Sequence, residues 1–219
     1  MDIVTGTWST LTDDTISRMA RYRHRVFVET LGWNLRCADG LELDQFDRPD
    51  TMYVIARRGE SVVGTARLLP TSRPYLLGDV FPQLMGSLPI PEAEDVWELS
   101  RFTAVDFDAV VGVHGREQFS SSVAVSLLRS ALEVASSSGV KRLITVSPLG
   151  VERLLRRNGF VAHRAAPPVL IDGHPLYACW IEVPYLEREC PTMDLYSRET
   201  PTSEGLRHSS PDPTLAAVN

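Results

Sequence analysis

Apolar residues recur at helical spacing over residues 12–31, where Ile16, Met19, Ala20, Val26, Phe27 and Leu31 form a stripe that starts beside Thr12 and Asp13 and stops at Gly32. That spacing predicts a first core helix. Residues 33–50 hold no sustained period and mix Gly, Asn and Asp, so they read as a long loop; loops of that length in compact domains are usually functional or disordered. Residues 52–57 and 62–69 read as two strands of a hairpin around Gly59-Glu60. Residues 70–91 are rich in Pro and Gly and read as an irregular connection, after which residues 96–105 resume the strand pattern.

In the second half, residues 117–138 place Phe119, Val123, Leu127, Leu128, Ala131, Leu132 and Ala135 on one helical face, closed by Gly139. A short strand (142–147) and a short helix (149–157, ended by Asn158-Gly159) follow. Strands are then expected near 160–163, 169–171 and 176–183, with Asp172-Gly173 as the turn between the last two. Helices and strands interleave without a regular βαβ rhythm or a G-x-G-x-x-G opening, which excludes a dinucleotide-binding doubly wound fold. The class expected is α/β (α+β), a mixed twisted sheet flanked by helices. One domain is expected over residues 1–189. Residues 190–219, poor in large apolar side chains, read as a flexible tail.

Composition narrows the function. A formal net charge of −6 argues against nucleic acid as a partner. The three cysteines, Cys37, Cys179 and Cys190, are odd in number and without CxxC spacing, so neither a disulfide framework nor a metal site is expected. No segment has the basic start of a signal peptide or the length of a membrane span, and a cytoplasmic protein with no membrane partner is expected.

Three charges stand in apolar company. Arg23 lies four residues from both Met19 and Phe27, on the stripe that faces the core, and a buried guanidinium needs a carboxylate partner. Asp44 and Asp47 in the neighbouring loop offer one, and the plain alternative is an ion pair that only pins the loop. Arg67 shares a strand face with Val63, Thr65 and Leu69. Glu98 and Arg101 sit inside the apolar run Trp97-Glu98-Leu99-Ser100-Arg101-Phe102; regular alternation would send them to opposite faces, and a bulge would bring them to one. Each alone is an ordinary edge-strand charge, but together they suggest a cleft.

The ordered set Arg23-x3-Phe27-x5-Trp33, Asp44-x2-Asp47, Arg67, Phe81 and Glu98-x2-Arg101 resembles the signature of the acyl-homoserine-lactone synthases, the autoinducer synthases of quorum sensing. Weaker similarity runs on through Gly150-Val151-Glu152-Arg153 to about residue 183. The resemblance implies an N-acetyltransferase-related, three-layer α-β-α fold with a V-shaped cleft for a pantetheine arm. It also implies an acyltransferase that joins an acyl chain from acyl carrier protein to S-adenosylmethionine and releases methylthioadenosine. S-adenosylmethionine is then a substrate, and no cofactor is implied.

On this reading Arg23, Phe27, Trp33, Asp44, Phe81, Arg101 and Phe102 bind S-adenosylmethionine, whose ammonium, carboxylate and sulfonium call for acids, a guanidinium and aromatic faces. Glu98 is the candidate base, assisted by Ser100, Arg101, Asp44, Asp47 and Arg67, with oxyanion donors at a bulge beside Ser100 or Arg101. Arg67 either orients the substrate carboxylate or holds Asp44 and Asp47.

Leu99, Leu127, Thr145, Val146, Ser147 and Leu149 are candidates to line the acyl slot, with ordinary core as the alternative; in the family a hydroxyl at the strand holding Thr145 and Ser147 goes with oxidised acyl chains. Arg153, Arg156, Arg157 and Arg164 form a local basic cluster suited to an acidic carrier protein. Residues 115–120 lack the R-x-x-G-x-G phosphate loop, which favours carrier protein over free coenzyme A. The rival is an enzyme of the same fold that acylates another amine from acyl-coenzyme A.

Overall fold

The structure is a computed structural model that describes residues 1–108 and 122–184. The expected hairpin is present as β2 (Met52–Arg58) and β3 (Ser61–Pro70), paired antiparallel. A strand that the pattern did not reveal, β1 (Asp2–Thr7), pairs antiparallel with β2 at the sheet edge. Its short run of Thr and Gly shows little hydrophobic alternation, because an edge strand buries only part of itself.

The first helix is α1 (Asp13–Arg23), whose N-cap Thr12 accepts from the Thr15 amide. After Arg23 the helix widens into π-helical turns (His24–Thr30). Side-chain contacts follow the five-residue step: His24 Nδ1 lies 3.1 Å from Glu29 Oε1, and Thr30 Oγ1 donates to the Arg25 carbonyl. The chain then turns at Gly32, and the Trp33 amide donates to the Phe27 carbonyl.

Within the Pro- and Gly-rich connection the chain forms α2 (Leu76–Val80) and a 3₁₀ turn (Pro82–Met85). Both are too short to show a period, and burial of Leu77, Leu84 and Met85 holds them on the sheet. The remaining elements are β4 (Val96–Thr103), α3 (Ser122–Ser137), β5 (Arg142–Pro148), α4 (Val151–Arg157), β6 (Ala162–Arg164), β7 (Val169–Ile171) and β8 (His174–Glu182). Expectations on residues 109–121, on Cys190 and on the tail lie outside the described residues.

The strands form one mixed sheet in the order β1-β2-β3-β4-β5-β8-β6, with β7 on β8. Alternation sorts the faces. Val54, Ala56, Ala66, Leu68 and Leu99 pack under α3, while Tyr53 and Ile55 pack under Ile16 and Met19 of α1. The result is the expected three-layer arrangement.

One feature of the sheet places the site. β4 and β5 are the parallel pair, and they pair only at Val96–Arg142, Trp97–Leu143 and Glu98–Ile144. Beyond Glu98, β4 stays with β3 and β5 stays with β8, so the two strands part. Glu98 stands at the point of the split.

Candidate active site

β4 loses register with β3 between the pairs Arg67–Ser100 and Thr65–Thr103, which leaves one extra residue on β4. Arg101 takes up the irregularity in a left-handed conformation, φ 50°, which L side chains seldom adopt. The sequence left open a bulge between Glu98 and Arg101; the register is regular from Glu98 to Ser100, and the irregularity falls at Arg101 itself, turning its side chain toward the face that carries Arg67.

Three guanidinium groups and three carboxylates meet there. Arg23, fully buried, clasps Asp47 with Nη1 and Nη2 at 2.8 and 3.0 Å and donates from Nε to Glu42. Arg67, also fully buried, lies 2.6 Å from Asp44 and 3.2 Å from Asp47, and its Nε donates to the Ser100 hydroxyl at 3.0 Å. Arg67 thus holds both aspartates, one of the two roles open to it in the sequence. Arg101 donates to Glu42 from Nε and Nη2 at 3.1 and 2.9 Å and to Asp44 from Nη2 at 2.9 Å. The cluster closes on itself in charge, as buried ions must.

Asp47 is its hub. It also accepts from the Tyr53 hydroxyl and from the Asp44 amide, both at 2.8 Å. Burial alone would raise its pKa, but the charges of Arg23 and Arg67, with the hydrogen bonds from Arg23 and the Asp44 amide, prevail and hold it well below the usual carboxylate range. Asp44 is the most open of the three acids, with 17% of its side chain exposed against 2% for Glu42 and 1% for Asp47.

Above the cluster Phe27 and Trp33 stack with centroids 4.8 Å apart, and the Arg101 guanidinium lies 5.5 and 5.9 Å from the two rings. Trp33 is nearly half exposed while Phe27 is buried, so the indole is the solvent-facing member of the pair. The widened turns at His24–Thr30 are what bring Trp33 back over Phe27.

Glu98 is different. It is fully buried, and its oxygens accept from the Leu77 amide at 2.7 Å and the Leu76 amide at 3.0 Å, so it anchors the first turn of α2. It makes no ion pair with Arg101 or Arg67. Burial pushes its pKa up to about 7, against the opposing pull of the two amides and the more distant guanidinium groups.

Glu42 and Tyr53 were not legible as site residues. Glu42 stands between Leu41 and Leu43 in a stretch without period, and Tyr53 reads as a strand aromatic. Charge counting is the signal that points to Glu42: three buried arginines need a third acid beyond Asp44 and Asp47. Two expected site residues lie elsewhere. Phe102 packs in the α3-side core, on the sheet face opposite the cluster, because the bulge returns β4 to alternation after Arg101. Phe81 sits at the C-terminal end of α2 in the second core, packed with Leu77 and Leu84.

The autoinducer synthase family model matches residues 8–187. The chain belongs to the autoinducer synthase family. An acyl-homoserine-lactone synthase of Acinetobacter nosocomialis is 50% identical over 184 residues, 84% of this chain and 100% of that one. Among solved structures, TofI in a ternary complex with an inhibitor and MTA is 40% identical with a TM-score of 0.71, covering 84% of this chain and 92% of its own. BjaI, a CoA-dependent acyl-homoserine lactone synthase solved with SAM and isopentyl-CoA, is 26% identical with a TM-score of 0.72, covering 83% of each chain. The synthases are acyltransferases, and the fold is the N-acyltransferase-like one expected.

The acyl-slot candidates of this synthase divide. Leu99 and Leu127 are buried in the core between β3, β4 and α3, and Thr145 and Ser147 are buried on β5. Val146 faces the second core, under α2. Leu149 is 51% exposed in the turn before α4, so the structure does not bring it to a slot; the turn carries it outward, with Gly150 at a left-handed φ of 96°. Of the basic cluster, Arg153, Arg156 and Arg157 are exposed on α4, and Arg156 and Arg164 both pair with Glu152. Among the described residues no group of His, Cys, Asp and Glu is placed to hold a metal ion, and no helix is long and apolar enough to cross a membrane.

Proposed function

We propose that this synthase makes an N-acyl-L-homoserine lactone from S-adenosylmethionine and an acyl thioester presented by acyl carrier protein, in the cytoplasm where both substrates are made. The observation that carries the reading is the neighbourhood of a charge-balanced cluster, capped by stacked Phe27 and Trp33, and a solitary buried carboxylate at the split between β4 and β5.

The parts fit the chemistry. The substrate ammonium approaches Asp44, the most open acid, and its adenine or sulfonium lies against the aromatic pair. The ammonium loses one proton to become nucleophilic, and Glu98 takes it. Its pKa of about 7 matches a base working near neutral pH. A carboxylate has about four acceptor positions, so two amide donors leave room for a proton. The free amine attacks the thioester carbonyl, and the oxyanion takes hydrogen bonds from the backbone at the Arg101 bulge. Collapse breaks the C–S bond, and the second nitrogen proton leaves with the thiol. A methionine carboxylate oxygen then attacks the γ-methylene that bears the sulfonium, and the C–O bond of the five-membered lactone forms as the C–S bond to methylthioadenosine breaks.

Acyl carrier protein is favoured as donor by the exposed arginines of α4, the kind of surface that an acidic partner docks on. The missing R-x-x-G-x-G run points the same way. BjaI is CoA-dependent, so both donors occur among relatives. Mass spectrometry of purified reactions containing S-adenosylmethionine and either acyl carrier thioester or acyl-coenzyme A tests the proposal. It requires lactone and methylthioadenosine, with turnover on the carrier thioester at least tenfold the higher. Acylation without methylthioadenosine contradicts the lactone reading, and a preference for acyl-coenzyme A contradicts the donor.

A further inference from the structure

Glu42 does more than balance charge. Its backbone amide donates to the Ala20 carbonyl of α1 at 3.1 Å, which fixes the loop against the helix that carries Arg23. Its Oε2 accepts from Arg23 Nε, and its Oε1 accepts from Arg101 at both Nε and Nη2. Arg101 needs such a clamp, because its backbone is held in a left-handed bulge and its guanidinium hangs below Phe27 and Trp33.

Among the described residues Arg101 makes three side-chain hydrogen bonds, two to Glu42 and one, from Nη2, to Asp44. Without Glu42 the whole charge of Arg101 would turn to Asp44, which Arg67 already holds at 2.6 Å. Asp44 already accepts from Arg67 and the Phe46 amide on Oδ1 and once from Arg101 on Oδ2, so of about four acceptor positions the one left is on Oδ2, and a second bond from Arg101 would fill it. We infer that Glu42 is a positioning residue for the amino substrate: by holding Arg101 and Arg23 together it keeps Asp44 open to the substrate ammonium and keeps the Arg101 guanidinium under the aromatic pair. The inference rests on the proposed reaction with S-adenosylmethionine and adds a residue to the set that the sequence pattern named.

The role predicts a split between kinetic parameters. Glu42 touches neither the thioester nor Glu98, so its loss acts on binding of the amino substrate before it acts on acyl transfer. In Glu42→Gln the amide retains one acceptor oxygen and turns a donor toward one of the two arginines. Glu42→Asp keeps the charge on a side chain one methylene shorter, which reaches one guanidinium better than two. The test is steady-state kinetics with each substrate varied in turn, a calorimetric titration with S-adenosylmethionine alone, and a thermal melt, on the parent and both variants.

The expected result for Glu42→Gln is a KM and a Kd for S-adenosylmethionine raised roughly ten- to a hundredfold, the usual worth of a hydrogen bond to a charged group. Turnover at saturation and the KM for the acyl thioester stay within a few-fold of the parent, and Glu42→Asp recovers part of the affinity. Unchanged affinity in both variants overturns the inference. So does a general loss, in which the melt and turnover fall and both KM values rise together, because a mere structural pin gives that pattern. If Glu42→Gln does not fold, Glu42→Asp decides by the same split. A parent enzyme that releases no methylthioadenosine defeats the proposed reaction itself, an outcome read before either variant is compared.

Discussion

Asp47 and Glu98 are both buried carboxylates on the same side of one sheet, and their surroundings drive them in opposite directions. Asp47 is met by two guanidinium groups, a phenol and an amide, and it stays ionised far below the usual range. Glu98 is met by two amides and, among the described residues, by no ion pair, and burial lifts it to about 7. Burial alone therefore does not decide what an acid does; the partner does. In the proposed reaction the paired acid is a fixed charge and the solitary one takes and gives the proton.

The contrast breaks first at Asp47. Asp47→Asn keeps the shape but removes the charge that both Arg23 and Arg67 face, and stability should fall by about 3–5 kcal/mol in urea unfolding. Asp47 has a depressed pKa, so its contribution is present above the ordinary value near 3.8 and is lost as pH falls below it. A loss under about 1 kcal/mol would show that the cluster is held by other contacts.

Glu98 carries the opposite sign. Its folded pKa is raised from 4.5 to about 7, so below 4.5 its proton is held in both states and folding feels no penalty. As pH rises from 4.5 to 7 the unfolded chain ionises first, and the folded state loses about 3 kcal/mol, at ~1.36 kcal/mol per pH unit. Thermal melts across this range should show the decline in the parent and its absence in Glu98→Gln. An equal decline in both assigns the effect to another group.

The smallest effect belongs to charges in water. Arg153 and Arg157 are exposed on α4, and reversing both to Glu should raise the KM for acyl carrier thioester about five- to tenfold while leaving the melt unchanged. Added salt should erase most of the difference. Equal impairment with a small thioester donor would remove α4 from the docking surface.

What the sequence disclosed follows the same division. Long periodic segments such as α1 and α3, and the hairpin of β2 and β3, were legible because half-buried elements write their geometry as spacing. The misplaced charges Arg23, Arg67 and Arg101 were legible for the converse reason, since a charge on a core-facing stripe needs a partner and three together point to one place. β1 and α2 were not, because an edge strand and a five-residue helix are too short or too open to carry a period. Glu42 was missed because its partner Arg101 lies 59 residues away in the chain and the loop around it carries no period to mark which side faces the cluster. Phe102 was misplaced by the bulge, which turns Arg101 to the cluster and so returns its neighbour to the opposite face.

The central claim is that Glu98, solitary and buried, is the base. Single-turnover acylation of S-adenosylmethionine measured across pH in the parent and in Glu98→Gln, with a melt and a binding titration on each, tests it most directly. Gln leaves one of the Leu76 and Leu77 amides facing a donor, so a modest fall in the melt is expected and the rate must be read beside it. The account predicts a rising limb near pH 7 in the parent, a fall of roughly 10²- to 10⁴-fold in the variant with S-adenosylmethionine still bound, and partial recovery at high pH as the substrate ammonium deprotonates unaided. A variant that stays within a few-fold of the parent, or that keeps the same limb near pH 7, would contradict it.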